Sequence, residues 1–521
     1  MSIYAKHICV MACLILFPIA CTENPPLTTE QNITVNQSVA ETTQSAPLPT
    51  PTTTPTPTVV APVVSLPAKF TQLPESILAK LQTLRLPAEG ISIYIQAVDQ
   101  VSPLLAVNED VPRNPASVMK VITTYAGLGI LGADYRWPIE LYTTGTITGD
   151  TLQGDLILKG YGDPNFKEPD LRHLLEQLRA KGIWKISGNL IIDNSYFSVV
   201  AHDPGEFDGK RYAAYNAQAD ALLYNEGVSE FIVRGHEVIV PNPALNVTVN
   251  NGLKARNASC HTRMGLNHRE NEVNISFEGS GSTRCGERRY ALVITDAINM
   301  MYATVSKMWI SDMGGDIHGA DFVTTATPAT AQLLAKVESE PLSEVLPMIN
   351  KKSNNVMAQQ LFLSIGAKQI AGAGDTTEKS YQAIQTWFKS RGLFFEELQM
   401  ENGSGLSRHG RVSAKHIAQL LLDAYQHPQR EVFIDSLPIM GVDGTLRKRM
   451  RGTHVAGHAH LKTGTLNNAK ALAGYVTTDN GETYVVAILH NDPSAKYKAP
   501  PVHDAIIDWV ANLPPKATES N

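Results

Sequence analysis

The chain has 521 residues, of which 44 are Lys or Arg and 50 Asp or Glu, for a formal net charge of −6. That length suggests more than one domain and ample surface for a core. The mild negative charge gives no support for a nucleic-acid partner, which needs a concentrated basic face, and beyond the N-terminus no apolar run is long enough to span a bilayer.

The N-terminus reads as a signal peptide. Lys6 supplies a positive charge, and an apolar run from Ile8 to Ala20 follows that is too short for a membrane span. The run ends Phe17-Pro18-Ile19-Ala20-Cys21. A small residue directly before a cysteine resembles a bacterial lipoprotein cleavage site, with Pro18 where that pattern has Leu. We therefore expect a periplasmic protein, anchored to the membrane by lipid on Cys21. Ordinary cleavage nearby, leaving a fully soluble product, is the alternative. Residues 22–65 are rich in Thr, Pro, Ser and Gln and cannot build a core, so they read as a disordered tether.

Folded sequence begins near Pro67. Ile91, Ile93 and Ile95 alternate with polar residues, and Leu104 to Val107 follows a turn at Ser102-Pro103, so a hairpin is expected. Next comes Asn114-Pro115-Ala116-Ser117-Val118-Met119-Lys120, with Pro115 suited to a helix start. Ser117 and Lys120 then stand one turn apart on one face. A lysine of lowered pKa can take the proton of a serine, and a helix N-terminus favours a developing negative charge. A capping serine and a surface lysine would write the same letters.

The central region reads as inserted β-rich structure. Leu152 to Lys159 and Ile186 to Asp193 look like strands, and Leu171 to Lys181 like an amphipathic helix. Five cysteines occur. Cys260 and Cys285 are the pair left in the mature body, and an exported chain meets an oxidising compartment, so a disulfide is expected and two free thiols are the alternative. No CxxC spacing or ordered His cluster accompanies them, so no metal and no cofactor is expected.

Two more elements carry chemistry. Lys352-Ser353-Asn354-Asn355 precedes a largely apolar run, Val356 to Ile365, that reads as a helix. Ser353 could relay a proton, and Asn355 could hold a substrate carbonyl or Lys120. Leu461-Lys462-Thr463-Gly464-Thr465 reads as a strand before two others, Ala471 to Thr478 and Thr483 to His490, joined by the turn Asp479-Asn480-Gly481-Glu482. Lys462 offers a cation for a carboxylate, Thr463 and Thr465 offer hydroxyls, and Gly464 allows close approach. An edge strand with a solvated lysine is the plainer reading. Val502 to Leu513 reads as a final helix, so strands from both chain ends can share one antiparallel sheet.

SxxK, Ser-x-Asn and Lys-Thr-Gly in this order form the set of β-lactamases and penicillin-binding proteins. With Glu401 to Arg408, Gly441 to Leu446 and Lys462 to Val476, the chain from roughly Pro67 to Leu513 resembles the D-alanyl-D-alanine carboxypeptidase/endopeptidase family, the low-molecular-mass class C penicillin-binding proteins of peptidase family S13. The long gap between Lys120 and Ser353 separates it from ordinary β-lactamases. The resemblance implies an α+β, multidomain fold. Its β-lactamase/transpeptidase-like catalytic domain, an antiparallel sheet flanked by helices, would take residues 66–138 and 325–521. Residues 139–324 would form β-rich inserted domains, one nested in the other.

The same resemblance implies a serine D,D-peptidase that cleaves D-Ala-D-Ala ends or cross-links of peptidoglycan peptide through an acyl-enzyme, and that β-lactam antibiotics acylate. Ser117 would attack, Lys120 take its proton, Ser353 pass a proton to the leaving amine, and Lys462 and Thr463 hold the carboxylate. Backbone N–H groups of Ser117 and Thr465 would form the oxyanion hole. Asp208 and Tyr215 are candidates for binding the diaminopimelate side chain, or else pack domains. Asn402 stands where the family has Asp, and the Gly-Ser-Gly after it reads as a turn. A β-lactamase, or a non-catalytic wall-binding or antibiotic-sensing module, are the competing functions.

Overall fold

Ile91–Ala97 is buried along its whole length, although its alternating sequence reads as a strand with one wet face. Both faces are covered. Ile91, Ile93 and Ile95 join one apolar cluster. On the other face Tyr94 donates to Gln96 Oε1 at 2.7 Å and Ser92 Oγ accepts from Arg113 Nε at 2.6 Å, so the polar residues are satisfied within the core.

The computed structural model describes residues 68–242, 247–257, 260–269, 272–319 and 323–515. All of them belong to the unit Pro57–Asn521. The leader, Cys21 and residues 22–65 lie outside the described residues. Among the described residues no helix is long and apolar enough to cross a membrane.

Ile91–Ala97 lies inside a five-stranded antiparallel sheet, ordered Ala459–Leu466, Ala469–Thr477, Thr483–Asn491, Ile91–Ala97, Leu105–Val107. Both chain ends supply it. Met119–Leu131, Asn355–Gln369 and Ala414–Gln426 pack in the core on one side. Glu75–Leu84 and Pro500–Ala511 pack in the core on the other. Each helix buries an apolar stripe, which is the main source of its stability. The fold is α+β, with an antiparallel sheet between helical layers.

The region between Ser117 and Ser353 holds four further sheets. It also holds the helices Glu168–Ala180 and Ala297–Ser306, which bury Leu171, Leu174, Met300 and Met301. Each of the two strands expected near its start is two strands. Thr151–Gln153 and Leu156–Gly160 part at Gly154, and Lys185–Ile186 and Leu190–Asp193 part at Gly188. The halves go to different sheets. A Cβ on Gly188 would stand 2.6 Å from the carbonyl carbon of Gly154, so the two chains turn the corner against each other where only glycine fits. Val247–Ala255, His261–Arg269 and Glu272–Gly281 form a three-stranded sheet from a polar stretch rich in Asn and Gly, within the region expected to be β-rich. Cys260 and Cys285 are joined by a disulfide, with Cα atoms 5.6 Å apart. Gln332–Glu338 pairs with Pro138–Thr143.

Candidate active site

Ser117 sits in a short 3-10 turn, Ala116–Val118, that feeds the helix Met119–Leu131. Asn114 shapes the entry. Its Oδ1 accepts from the Ala116 N–H at 2.9 Å, its own N–H donates to Asn491 Oδ1 at 2.8 Å, and its side-chain amide donates to the Ser407 carbonyl at 2.9 Å. Ala116 takes φ 47°, a left-handed conformation that a non-glycine residue adopts at a cost. The turn is therefore held in place by the last strand of the sheet and by the 402–407 segment.

Lys120 is 0% exposed, which removes the reading of a surface lysine. Its Nζ lies 3.2 Å from Ser117 Oγ, 2.7 Å from Asn355 Oδ1 and 2.6 Å from the Ser404 carbonyl oxygen. Burial, and then the charge of Lys462, hold its pKa well below the usual lysine value. Asn355 reaches it because Asn354 caps the helix Asn355–Gln369, accepting from the Met357 N–H at 3.1 Å and donating to Glu226 at 2.7 Å. Asn355 thus meets Lys120.

Ser353 ends the preceding helix, Leu342–Lys352, in a left-handed conformation, φ 55°. Its Oγ accepts from Lys462 Nζ at 2.9 Å. Lys462 is also 0% exposed, so it is not a solvated lysine. Its other bond goes to the Thr463 carbonyl at 2.9 Å, and burial pushes its pKa down to about 7. Lys462 and Lys120 lie under the cleft surface.

Thr463 and Thr465 lie on the edge strand Ala459–Leu466. The Thr463 hydroxyl meets that of Thr445 at 2.9 Å, and Thr465 Oγ1 accepts from Lys470 Nζ at 2.7 Å. Thr445 follows Asp443, whose carboxylate is tied to Lys351 Nζ at 2.6 Å and to the Ile439 N–H at 2.8 Å. At Gly464 a Cβ would stand 2.4 Å from the Pro115 carbonyl oxygen. Only glycine lets the strand run this close to the turn that carries Ser117.

A cleft of about 530 Å³ is lined by Ser117, Ser353, Asn355, Thr465, Asp208 and Tyr215, among others. Asp208 and Tyr215 come from the central region. Tyr215 Oη donates to Asp208 Oδ2 at 2.6 Å, and Asn216 and the Lys210 N–H donate to Oδ1 at 3.0 and 3.1 Å. Burial raises the Asp208 pKa, but these bonds outweigh it and hold the carboxyl below its ordinary value.

Two participants escaped the sequence reading. Ser404 contributes a backbone carbonyl, which no residue letter announces. Asn402 builds the turn that aims it, accepting from the Ser404 N–H at 3.0 Å and Oγ at 2.9 Å and donating to the Leu406 carbonyl at 2.9 Å. A neutral amide suffices for those bonds, so Asn402 acts here by shape. Lys470 was also missed, although pairing across the Asn467–Asn468 turn could have found it. Among the described residues no group of three or more His, Cys, Asp or Glu could hold a metal ion.

The family model of D-Ala-D-Ala carboxypeptidase 3 (S13) matches residues 73–513. A D-alanyl-D-alanine carboxypeptidase of Actinomadura sp. (strain R39) is 30% identical over 443 residues, 80% of this chain and 80% of that protein. The D-alanyl-D-alanine carboxypeptidase DacB of Haemophilus influenzae is 27% identical over 435 residues, 77% of this chain and 85% of that one. In fold, the chain is similar to the crystal structure of penicillin binding protein 4 (dacB) from Haemophilus influenzae. The TM-score is 0.69 at 23% identity, covering 84% of this chain and 99% of that chain. With its motif residues gathered at one cleft and residues 73–513 matched by the family model, the chain belongs to the D-Ala-D-Ala carboxypeptidase 3 (S13) family.

Proposed function

We propose that the chain is a serine D,D-peptidase that cuts D-Ala-D-Ala ends or cross-links of peptidoglycan peptide outside the cytoplasm, by way of an acyl-enzyme on Ser117. The observation that carries this is the bonding of Lys120. A neutral amine has two N–H donors and one lone pair. Asn355 Oδ1 and the Ser404 carbonyl take the two donors, which leaves the lone pair for the Ser117 O–H, 3.2 Å away. Burial favours that neutral state. Lys120 is therefore the base.

Ser117 Oγ attacks the peptide carbonyl as its proton passes to Lys120. Backbone N–H groups of Ser117 and Thr465 receive the oxyanion. Lys462 donates into Ser353 Oγ, so the Ser353 proton is free to move to the departing amine, and the proton that Lys120 took from Ser117 replaces it on Ser353. Expulsion of that amine leaves the acyl group on Ser117, and water releases it. The buried Lys462 acts on the substrate's terminal carboxylate through the hydroxyls above it, with Thr463 and Thr465 as direct donors. Asp208 and Tyr215 receive the free ammonium end of a diaminopimelate side chain. A β-lactam presents a strained amide carbonyl beside a carboxylate, so it enters the same cleft and acylates Ser117.

The catalytic domain takes residues 66–138 and, after an insertion with one part nested in another, resumes later than the residue 325 read from the sequence. The pairing of Gln332–Glu338 with Pro138–Thr143 supports carrying the end of the insertion on to Ser339. Lipid on Cys21 and a periplasmic site belong to the same reading; a soluble product starting beyond Cys21 would remove the anchor.

The test is to incubate the purified chain with labelled penicillin and, separately, with muropeptides read by mass spectrometry. One covalent equivalent should appear on the tryptic peptide carrying Ser117, and D-alanine or cleaved cross-links should be released. A Ser117→Ala protein that still bound penicillin covalently would overturn the assignment.

A further inference from the structure

Thr465 and Lys470 are direct partners across a two-residue turn, with Leu466 paired to Ala469 beside them. Such partners project on the same face of a sheet. The next residue in the row is His490, which stacks on His503 with ring centroids 6.0 Å apart. Both imidazoles are buried. Arg449 also stands near Lys470, and the carboxylate that would balance it, Asp504, is already paired with Arg449. Lys470 thus has a cation and neutral rings behind it and a hydroxyl in front, to which its Nζ donates at 2.7 Å.

That bond decides what Thr465 can do. A hydroxyl has one proton, and one that accepts from an ammonium must turn its O–H elsewhere. Thr465 lines the cleft beside Ser117 and Ser353. Its O–H can therefore serve an acceptor placed there, with the Lys470 ammonium behind it. Thr463 differs: its partner is the neutral hydroxyl of Thr445, and either oxygen can be the donor. Of the two threonines, only Thr465 has its direction fixed by a charge.

We propose that Lys470 is a positioning residue that sets the cleft's preference for a carboxylate-bearing ligand, acting through the Thr465 hydroxyl. The proposal rests on the active-site reading of Ser117 given above. Lys470 touches no substrate itself.

The full chain is tested by measuring second-order acylation by benzylpenicillin and by its methyl ester, which lacks the anionic oxygen. Lys470→Met should slow acylation by the acid about ten-fold, while the ester changes by less than about two-fold. Lys470→Arg should recover most of the loss. Thr465→Val should lower the acid rate similarly, and Lys470→Met should add nothing in that background, because both remove the same interaction. Should Lys470→Met fail to fold, Lys470→Gln is read in the same way. Equal losses for acid and ester, or independent additive losses in the double variant, would overturn the proposal while penicillin still labels Ser117. A wild-type chain that takes no penicillin at Ser117 would bring down the active-site reading and this inference together.

Discussion

Lys462 Nζ donates to Ser353 Oγ at 2.9 Å, so two residues 109 positions apart share one hydrogen. With the Ser353 oxygen occupied, the proton of that serine is the one left to give. Lys462→Ala and Ser353→Ala should each lower kcat/KM for a D,D-peptide by about a hundred-fold, the scale of a lost charge-assisted donor. Their double variant should fall well short of the product of the two losses. Fully multiplicative losses would mean that the two side chains work separately.

Ser117→Ala removes a hydroxyl from a cleft surface and opens almost no cavity. It should abolish acylation and leave stability within about 0.5 kcal/mol. Lys120→Ala should be equally inactive but less stable, because it strips a buried partner from Asn355 Oδ1 and the Ser404 carbonyl. Denaturant unfolding followed beside acylation separates the two effects.

The pH dependence of kcat/KM should be bell-shaped. Lys120 must be neutral to accept a proton, and its pKa is depressed, so protonation removes activity on the acid side. Lys462 must be charged to polarise Ser353, and its pKa is pushed down to about 7, so loss of its proton removes activity as pH rises past that value. Lys462→Met should retain the acid limb and lose the alkaline one. An unchanged alkaline limb in that variant would assign it to another group.

His490 and His503 are buried, and their ring nitrogens meet no hydrogen-bond partner among the described residues. Burial pushes the His490 pKa down to about 4 and that of His503 well below its usual value. The folded state therefore binds fewer protons than the unfolded one, and stability is lost as pH falls below the ordinary histidine value. For His490 the loss reaches at most about 3 kcal/mol at pH 4. His490→Leu should flatten the acid side of a stability-against-pH curve. An equally steep curve in the variant would place the acid sensitivity elsewhere.

Cys260 and Cys285 close a loop with a sequence separation of 25 in a sheet whose core is small. Non-reducing peptide mapping should recover them joined. Replacing both by Ser should destabilise that lobe by about 3 kcal/mol, while penicillin binding persists at the cleft, which neither cysteine lines. Two alkylatable thiols in protein from an oxidising compartment would reject the pairing.

The site was legible where its chemistry lies in side chains at short spacing. Ser117 and Lys120 share one helical turn, Ser353 and Asn355 flank a cap, and Lys462 to Thr465 lie on one strand. What the letters hid was depth. Lys120 and Lys462 look like any lysine, and only the packed fold takes both out of water. The Ser404 carbonyl is backbone and has no letter. In the fold, the sheet built from both chain ends was readable from Ile91, Ile93 and Ile95 and from the two strands before the last helix. Val247–Ala255 was not, because Asn250, Asn251 and Gly252 interrupt the alternation of Val247, Val249 and Leu253, the residues that face the apolar cluster. The corner at Gly154 and Gly188 was missed because each glycine looks harmless until the other stands against it.

Ile91–Ala97 waits between two neighbours, Leu105–Val107, made soon after it, and Thr483–Asn491, made almost last. Until that late strand emerges, Asn491 cannot clamp the loop before Ser117, and Gly464 cannot close against Pro115. Pairing across so long a stretch is entropically costly and slow. The order of synthesis therefore parts the serine from its clamp: Ser117 is among the early residues to appear, and the strand that holds its turn is among the last. A chain interrupted anywhere before Asn491 carries the Ser117 hydroxyl in a turn that the last strand has not clamped.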